Sequence, residues 1–189
     1  MSVTNMLRAV FVAMQTRQPV LLWGEPGVGK TSFIYEVAEY TKRFAVVLNA
    51  GLLDPTDLRF PVLEENGTRL IRWAPPGWAY DLIEHGGGIL FFDEWSTAAP
   101  LIQSGMLRTV QEKKAGEAEL PEDTWIIAAA NPVDTSAGTW LLSSAMANRW
   151  LHFNWEMDTD LWVSGMIDGF KSVAKLPILP EDWQSHIQA

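Results

Sequence analysis

The chain has 189 residues, room for one ordinary domain or one domain with a short extension. Lys and Arg number 14 against 23 Asp and Glu, and this net charge of −9 disfavours a general polyanion binder, which needs cations opposite phosphates. Cysteine is absent, which excludes disulfides, zinc–thiolate sites and cysteine nucleophiles, and a hydrophobic share of 48% is too high for a disordered chain.

Ser2 or Thr4 can cap a first helix running to about Arg17, with Met6, Leu7, Val10, Phe11 and Met14 on one face. Val20-Leu21-Leu22-Trp23 follows as a short buried strand. Gly24 to Gly29 is a glycine-rich turn, and Lys30 to about Lys42 a helix with apolar Phe33, Ile34, Val37, Ala38 and Tyr40. Phe44 to Leu48 reads as the second strand. Residues 62–71 read as a β-hairpin turning at Asn66-Gly67, and Trp78 to Glu84 as a short helix stopped by Gly86-Gly87-Gly88. Ile89 to Phe92 is the third buried strand, Thr97 to about Lys113 a helix, and Gly116 to Glu122 an acidic, hairpin-like excursion. Trp125 to Ala130 is the fourth strand, Leu141 to Asn148 a helix, and Trp150 to Phe153 the fifth strand. Asp158 or Thr159 can cap a last helix to about Ala174. Strands alternating with helices predict a parallel α/β sheet covered by helices.

No segment approaches the ~18 consecutive apolar residues of a membrane span. The apolar patch Ala9 to Met14 is short and lacks an Ala-x-Ala cleavage site, so it does not read as a signal peptide. Asn66-Gly67-Thr68 matches a glycosylation acceptor but reads as a turn. Without secretion signals or cysteines, a cytoplasmic location is expected. Tryptophan supplies 10 of the 21 aromatic residues, enough large rings to fill a core or a subunit interface.

Four stations carry chemistry. Gly24-Glu25-Pro26-Gly27-Val28-Gly29-Lys30-Thr31, followed by Ser32, fits G-x-x-x-x-G-K-[ST] between an apolar strand and an amphipathic helix. Such glycines let backbone N–H groups curl round phosphate oxygens, and the helix points its positive end at them. Lys30 is placed to reach the β- and γ-phosphates, and the Thr31 hydroxyl to ligate Mg²⁺. Ile89-Leu90-Phe91-Phe92-Asp93-Glu94 delivers two carboxylates to the carboxyl edge of the sheet. Asp93 suits the Mg²⁺ shell, and Glu94 can polarise an attacking water. Asn131 ends the fourth strand, where it could sit between the strands of Lys30 and Asp93 and touch the γ-phosphate or the water. Arg149 stands between a helix and the fifth strand; a guanidinium suits γ-phosphate charge, and a structural ion pair is the alternative.

These stations together resemble an AAA+ ATPase, most closely its MoxR-like branch. Gly24 to Thr31 looks like the Walker A motif, Ile89 to Glu94 the Walker B motif and Ala130-Asn131-Pro132 the sensor 1 segment. Leu141 to Trp150 is similar to the family's arginine-finger helix, with Trp150 in place of its usual Phe and Asn148 in place of its usual Asp. Asp54-Pro55-Thr56-Asp57-Leu58 matches the segment leading into the family's hairpin insert, and Leu107 to Glu112 its L-L-x-x-x-E helix.

The resemblance implies a P-loop NTPase fold, with a five-stranded parallel sheet flanked by helices and a β-hairpin insert. The core would span residues 1–155. Residues 156–189 would form a C-terminal helical extension, the start of a truncated or reduced lid, since about 35 residues follow the fifth strand and the family's lid has roughly 80 to 100. It also implies ATP/ADP and Mg²⁺ as cofactors, ATP hydrolysis with Glu94, Asn131 and Arg149 as catalytic residues, and a homo-oligomeric, hexameric ring. The partner would be a protein client or a von Willebrand factor A-domain protein, remodelled or matured at the expense of ATP.

Alternatives are a nucleic-acid-associated AAA+ motor, against which the charge of −9 counts, and a nucleotide-binding scaffold with little turnover. A GTPase lacks its Asn-Lys-x-Asp here, and a small-molecule kinase does not explain Asp93-Glu94, Asn131 and Arg149 together. His85, His152 and His186 are isolated and read as structural. Trp73, Trp78 and Trp95 read as core or interface residues rather than a base-stacking platform.

Overall fold

The computed structural model describes residues 3–65, 69–132, 138–156, 159, 163, 176–180 and 183. In chain order the elements are α1 (Val3–Gln15), β1 (Val20–Trp23), α2 (Lys30–Thr41), β2 (Ala45–Asn49), β3 (Phe60–Glu65), β4 (Arg69–Ala74), α3 (Gly77–Glu84), β5 (Gly88–Asp93), α4 (Pro100–Glu112), β6 (Lys114–Ala115), β7 (Ala118–Glu119), β8 (Thr124–Ala130), α5 (Ser144–Ala147) and β9 (Leu151–Asn154).

The continuous apolar runs become strands: β8 is buried throughout, β1 and β5 in all but their last residue, while the edge strand β2 is half-buried and the edge strand β9 largely exposed. They form one parallel sheet of five strands in the order β2-β5-β8-β1-β9. All seven residues of β8, at its centre, are buried. Because side chains alternate across a strand, each run feeds two cores. Val20, Leu22, Ile89, Phe91, Ile127 and Ala129 pack under α1 and α2 with Phe11, Met14, Ile34 and Val37. Leu21, Leu90, Phe92, Ile126 and Ala128 pack on the opposite face under α3 and α4 with Leu82, Ile102 and Met106. The segment Leu176–Pro180 closes over the first core. Leu176 is buried there, Gln15 Nε2 donates to Pro177 O (3.0 Å), Leu179 N donates to Gln15 Oε1 (2.7 Å), and Tyr40 Oη donates to Leu176 O (3.4 Å).

Two expected helices are shorter than their sequence patterns. The helix expected from Thr97 begins at Pro100, because Trp95–Thr97 forms a separate 3-10 turn. Proline suits that first helical position, where no N–H is needed. The helix expected over 141–148 is the single turn Ser144–Ala147. Ser143 accepts from Met146 N (3.2 Å) and so fixes its start there.

β3 and β4 form a separate antiparallel sheet outside the five-stranded one, with Leu63 opposite Ile71 and Pro61 opposite Trp73. It carries charges, as the sequence indicates, but also exposed Phe60, Leu63, Leu70 and Ile71. The Asn66-Gly67 turn lies outside the described residues. So does the last expected helix, apart from helical Thr159 and Val163, and so does His186. Among the described residues no helix is long and apolar enough to cross a membrane.

Candidate active site

The turn between β1 and α2 owes its shape to glycine. Gly27 and Gly29 hold φ values of 80° and 88°, left-handed conformations costly for residues with a Cβ. A Cβ on Gly24 would collide with the carbonyl oxygen of Trp155. Gly29 is the N-cap of α2 and offers no side chain to its first N–H groups, which leaves them directed at the pocket. Pro26 through Ser32 line this pocket of about 250 Å³ together with Asp93, Glu94 and Asn131. Gly24 and Glu25 contribute differently. Their carbonyls accept from Lys30 Nζ at 2.7 and 2.9 Å.

Lys30 is 7% exposed, and its Nζ also donates to Asn131 Oδ1 at 3.1 Å. Burial pulls its ammonium below the usual lysine range, against the opposing pull of Asp93 and Glu25. Its Nζ is held by these three acceptors at the mouth of the helix. Asn131 reaches it because β8 lies between β5 and β1, the place the sequence assigned it. Its backbone N–H donates to the buried Ser96 Oγ (3.1 Å), and Ala130 O accepts from Gly24 N (3.1 Å), which ties this strand end to the phosphate loop.

Both oxygens of Asp93 are engaged. Oδ2 accepts from Thr31 Oγ1 (2.7 Å) and Oδ1 from the Glu94 backbone N–H (2.9 Å). Among the described residues no group of three or more His, Cys, Asp or Glu could cage a metal. The donor set instead fits Mg²⁺, which keeps several waters and takes one or two protein oxygens plus substrate phosphates. Thr31 and Asp93 supply a hydroxyl and a carboxylate within hydrogen-bond reach of each other, beside the helix terminus.

Glu94 sits at φ 54°, ψ 37°, a left-handed conformation uncommon outside glycine and enriched where function over-determines the backbone. Its Oε2 accepts from Asn49 Nδ2 at 3.0 Å. Asn49 ends β2 opposite Asp93 of β5. Sequence reasoning passed over it and Ser96. The available signal for Asn49 was the one that found Asp93 and Asn131, a polar side chain closing an apolar strand.

Arg149 is not in the pocket. It follows α5, and its Nε donates to Gln111 Oε1 of α4 (3.0 Å). The three tryptophans have separate places. Trp95 is fully buried, Trp78 Nε1 donates to Asp57 O (2.9 Å), and Trp73 lies on the hairpin with the Arg59 guanidinium 4.3 Å from its ring centre. His85 stacks on Phe44 with centroids 3.8 Å apart, a structural place.

Comparison with known proteins agrees with this fold. A solved structure from Cytophaga hutchinsonii, described as a candidate ATPase, superposes with a TM-score of 0.57 at 19% identity, over 93% of this chain and 52% of that one. The Nif-specific regulatory protein of Rhodobacter capsulatus is 34% identical over 124 residues, 61% of this chain and 21% of that protein. The protein of the same description from Sinorhizobium fredii is 30% identical over 135 residues, 67% of this chain and 22% of that protein. The chain thus spans about a fifth of the length of these curated relatives. Residues 19–152 match the ATPase family associated with various cellular activities (AAA), and over that span lie the phosphate loop, both carboxylates, Asn131 and Arg149: the chain belongs to this family.

Proposed function

We propose that the chain is the nucleotide-binding core of a MoxR-like ATPase that hydrolyses ATP in a homo-oligomeric ring, a hexamer, and uses the turnover to remodel or mature a protein partner. The reading rests on one observation above all: Lys30, Thr31, Asp93, Glu94 and Asn131 line one pocket at the N-terminus of α2. In it the N–H groups of residues 27–32 receive the phosphates. Lys30 exchanges its carbonyl partners for β- and γ-phosphate oxygens, and Asn131 orients the γ-phosphate end. Thr31 and Asp93 would hold Mg²⁺, which would supply charge neutralisation at the phosphates. Glu94 accepts the proton of a water whose oxygen attacks the γ-phosphorus. The bond to the β–γ bridging oxygen breaks, and ADP and phosphate leave.

Arg149, outside its own subunit's pocket and near the surface, serves the nucleotide of the adjacent subunit. The β3–β4 hairpin meets the client or a von Willebrand factor A-domain partner. Its exposed apolar side chains, on a sheet the core does not need, support that role. Residues 1–155 act as the core and 156–189 as an extension of it, in a cytoplasmic protein. The relatives' description as regulatory proteins favours a second reading, in which the same core powers a regulator rather than a maturation factor. The test is ATP binding and phosphate release by the purified chain beside Lys30→Ala. Affinity should fall tenfold or more in the variant, about 1.4 kcal/mol. Unchanged affinity would overturn the phosphate-loop assignment.

A further inference from the structure

α5 is one turn long, too short to hold its own shape, because helix nucleation is unfavourable and a single turn returns few hydrogen bonds. Arg149 comes just after its C-cap residue Asn148; Gln111 Oε1 accepts from the Arg149 Nε, and something outside the turn must also hold the backbone from which that guanidinium projects. The structure offers a specific brace. Ala147 O, at the end of α5, accepts from Trp150 N (3.3 Å) and from His152 Nε2 (2.8 Å). The imidazole caps the turn as a side-chain donor at a helix C-terminus.

The other ring nitrogen is also committed. Trp23 Nε1 lies 2.8 Å from His152 Nδ1, and the two rings are nearly parallel at 10°. An indole N–H only donates, so Nδ1 accepts, and the neutral ring carries its proton on Nε2, the nitrogen facing Ala147 O. Trp23 therefore sets the tautomer that the brace requires. Trp23 is the last residue of β1, immediately before Gly24, and His152 lies on the neighbouring strand β9 opposite Leu21. An unbroken chain of contacts links the phosphate loop of one subunit to the turn that carries its own Arg149.

From this we infer that His152 is a positioning residue for Arg149. It clamps the 147–150 turn to Trp23 at the root of the phosphate loop, so the guanidinium offered to an adjacent subunit is held in register with the nucleotide site of its own. The inference rests on the reading of Arg149 as acting on a neighbour's nucleotide, but the clamp itself is measurable without it.

The experiment compares the wild-type chain with His152→Phe, which keeps an aromatic ring and removes both hydrogen bonds, and with His152→Gln, whose amide can again donate to Ala147 O. Amide hydrogen exchange is read at Arg149 and Trp150, whose N–H groups bond within the turn. ATP affinity and turnover are measured on the same samples. In His152→Phe, exchange at these two amides should accelerate about tenfold. Turnover should fall roughly 10- to 100-fold, the scale of an ångström-level misplacement, with ATP affinity unchanged because the pocket residues are untouched. His152→Gln should recover part of both losses. In an Arg149→Ala background, His152→Phe should cost no further turnover.

Unaltered exchange in His152→Phe, or a turnover loss that adds in full to that of Arg149→Ala, overturns the inference. Wild-type turnover in Arg149→Ala alone, with accelerated exchange in His152→Phe, overturns only the role of the arginine and leaves the clamp standing. If His152→Phe does not fold, Trp23→Phe removes the bond that fixes the tautomer and keeps His152 in place. It should show the same changes in smaller measure, and wild-type exchange and turnover in it would reject the link to β1.

Discussion

Trp95 and Trp150 meet edge to face, their ring centroids 5.7 Å apart and their planes at 64°. Each directly follows a residue of the proposed chemistry, Glu94 in one case and Arg149 in the other. Both rings are buried in the core beneath α4, with 0% and 5% exposure. Neither indole N–H has a hydrogen-bond partner among the described residues, so the rings serve here as packing volume. Trp150→Phe should therefore cost about 1–2 kcal/mol and Trp150→Ala about 3–5 kcal/mol, measured by urea unfolding. Equal costs for the two would show that ring packing is not what Trp150 supplies.

Glu94→Gln should keep ATP binding and lose turnover by ~10²–10⁴-fold, because the amide fits the same space but is a poor proton acceptor. Asn49→Ala frees the Glu94 carboxylate from its one hydrogen bond to β2. It should change turnover and leave ATP affinity near that of the wild type. Normal hydrolysis in Glu94→Gln would remove Glu94 as the base.

Thr31→Val keeps the shape of the side chain and deletes the hydroxyl that donates to Asp93. Titrating ATP with and without Mg²⁺ should show that the metal strengthens binding to the wild type and contributes far less in the variant. An equal Mg²⁺ benefit in both would exclude Thr31 from the metal site.

Arg149→Ala should bind ATP and hydrolyse it slowly, since an arginine supplied across an interface acts mainly on the transition state, where it can be worth ~10³–10⁵ in rate. Mixing Arg149→Ala with Glu94→Gln subunits creates interfaces with one intact copy of each residue, so activity should partly return. Mixed assemblies that form and remain inactive would place Arg149 in its own subunit or in a structural role.

Leu63 and Ile71 face each other across β3 and β4, and both are well exposed, at 59% and 67%. Replacing both with serine should leave unfolding within ~0.5 kcal/mol per site. It should also reduce binding of an apolar dye and spare ATP affinity. A large loss of stability would mean that the hairpin is part of the core.

Much of this architecture is written locally. Four or five apolar residues in a row, as in Val20–Trp23 or residues 88–92, are best buried on both faces, and that requires helices on both sides of a parallel sheet. The phosphate loop is equally local. Its glycines, Lys30 and Thr31 are contiguous, and their spacing alone sets the strand–turn–helix. Helix ends were less legible. Leu141 to Asn148 looks helical by composition, yet the side chain of Ser143 caps the chain at Met146 and leaves one turn.

What the sequence determined by itself was the identity of the parallel strands and of Asp93, Glu94 and Asn131 at or just past their carboxyl ends, because apolar runs and motif spacing are properties of neighbours along the chain. Only the tertiary structure decided which strand ends meet. The order β2-β5-β8-β1-β9 puts Asn131 against Lys30, 101 positions away, and Asn49 against Glu94, 45 positions away. It also sets His152 between Trp23 and the turn that carries Arg149. Strand order follows from crossover connections and from the packing of two cores at once, long-range terms that no local pattern contains.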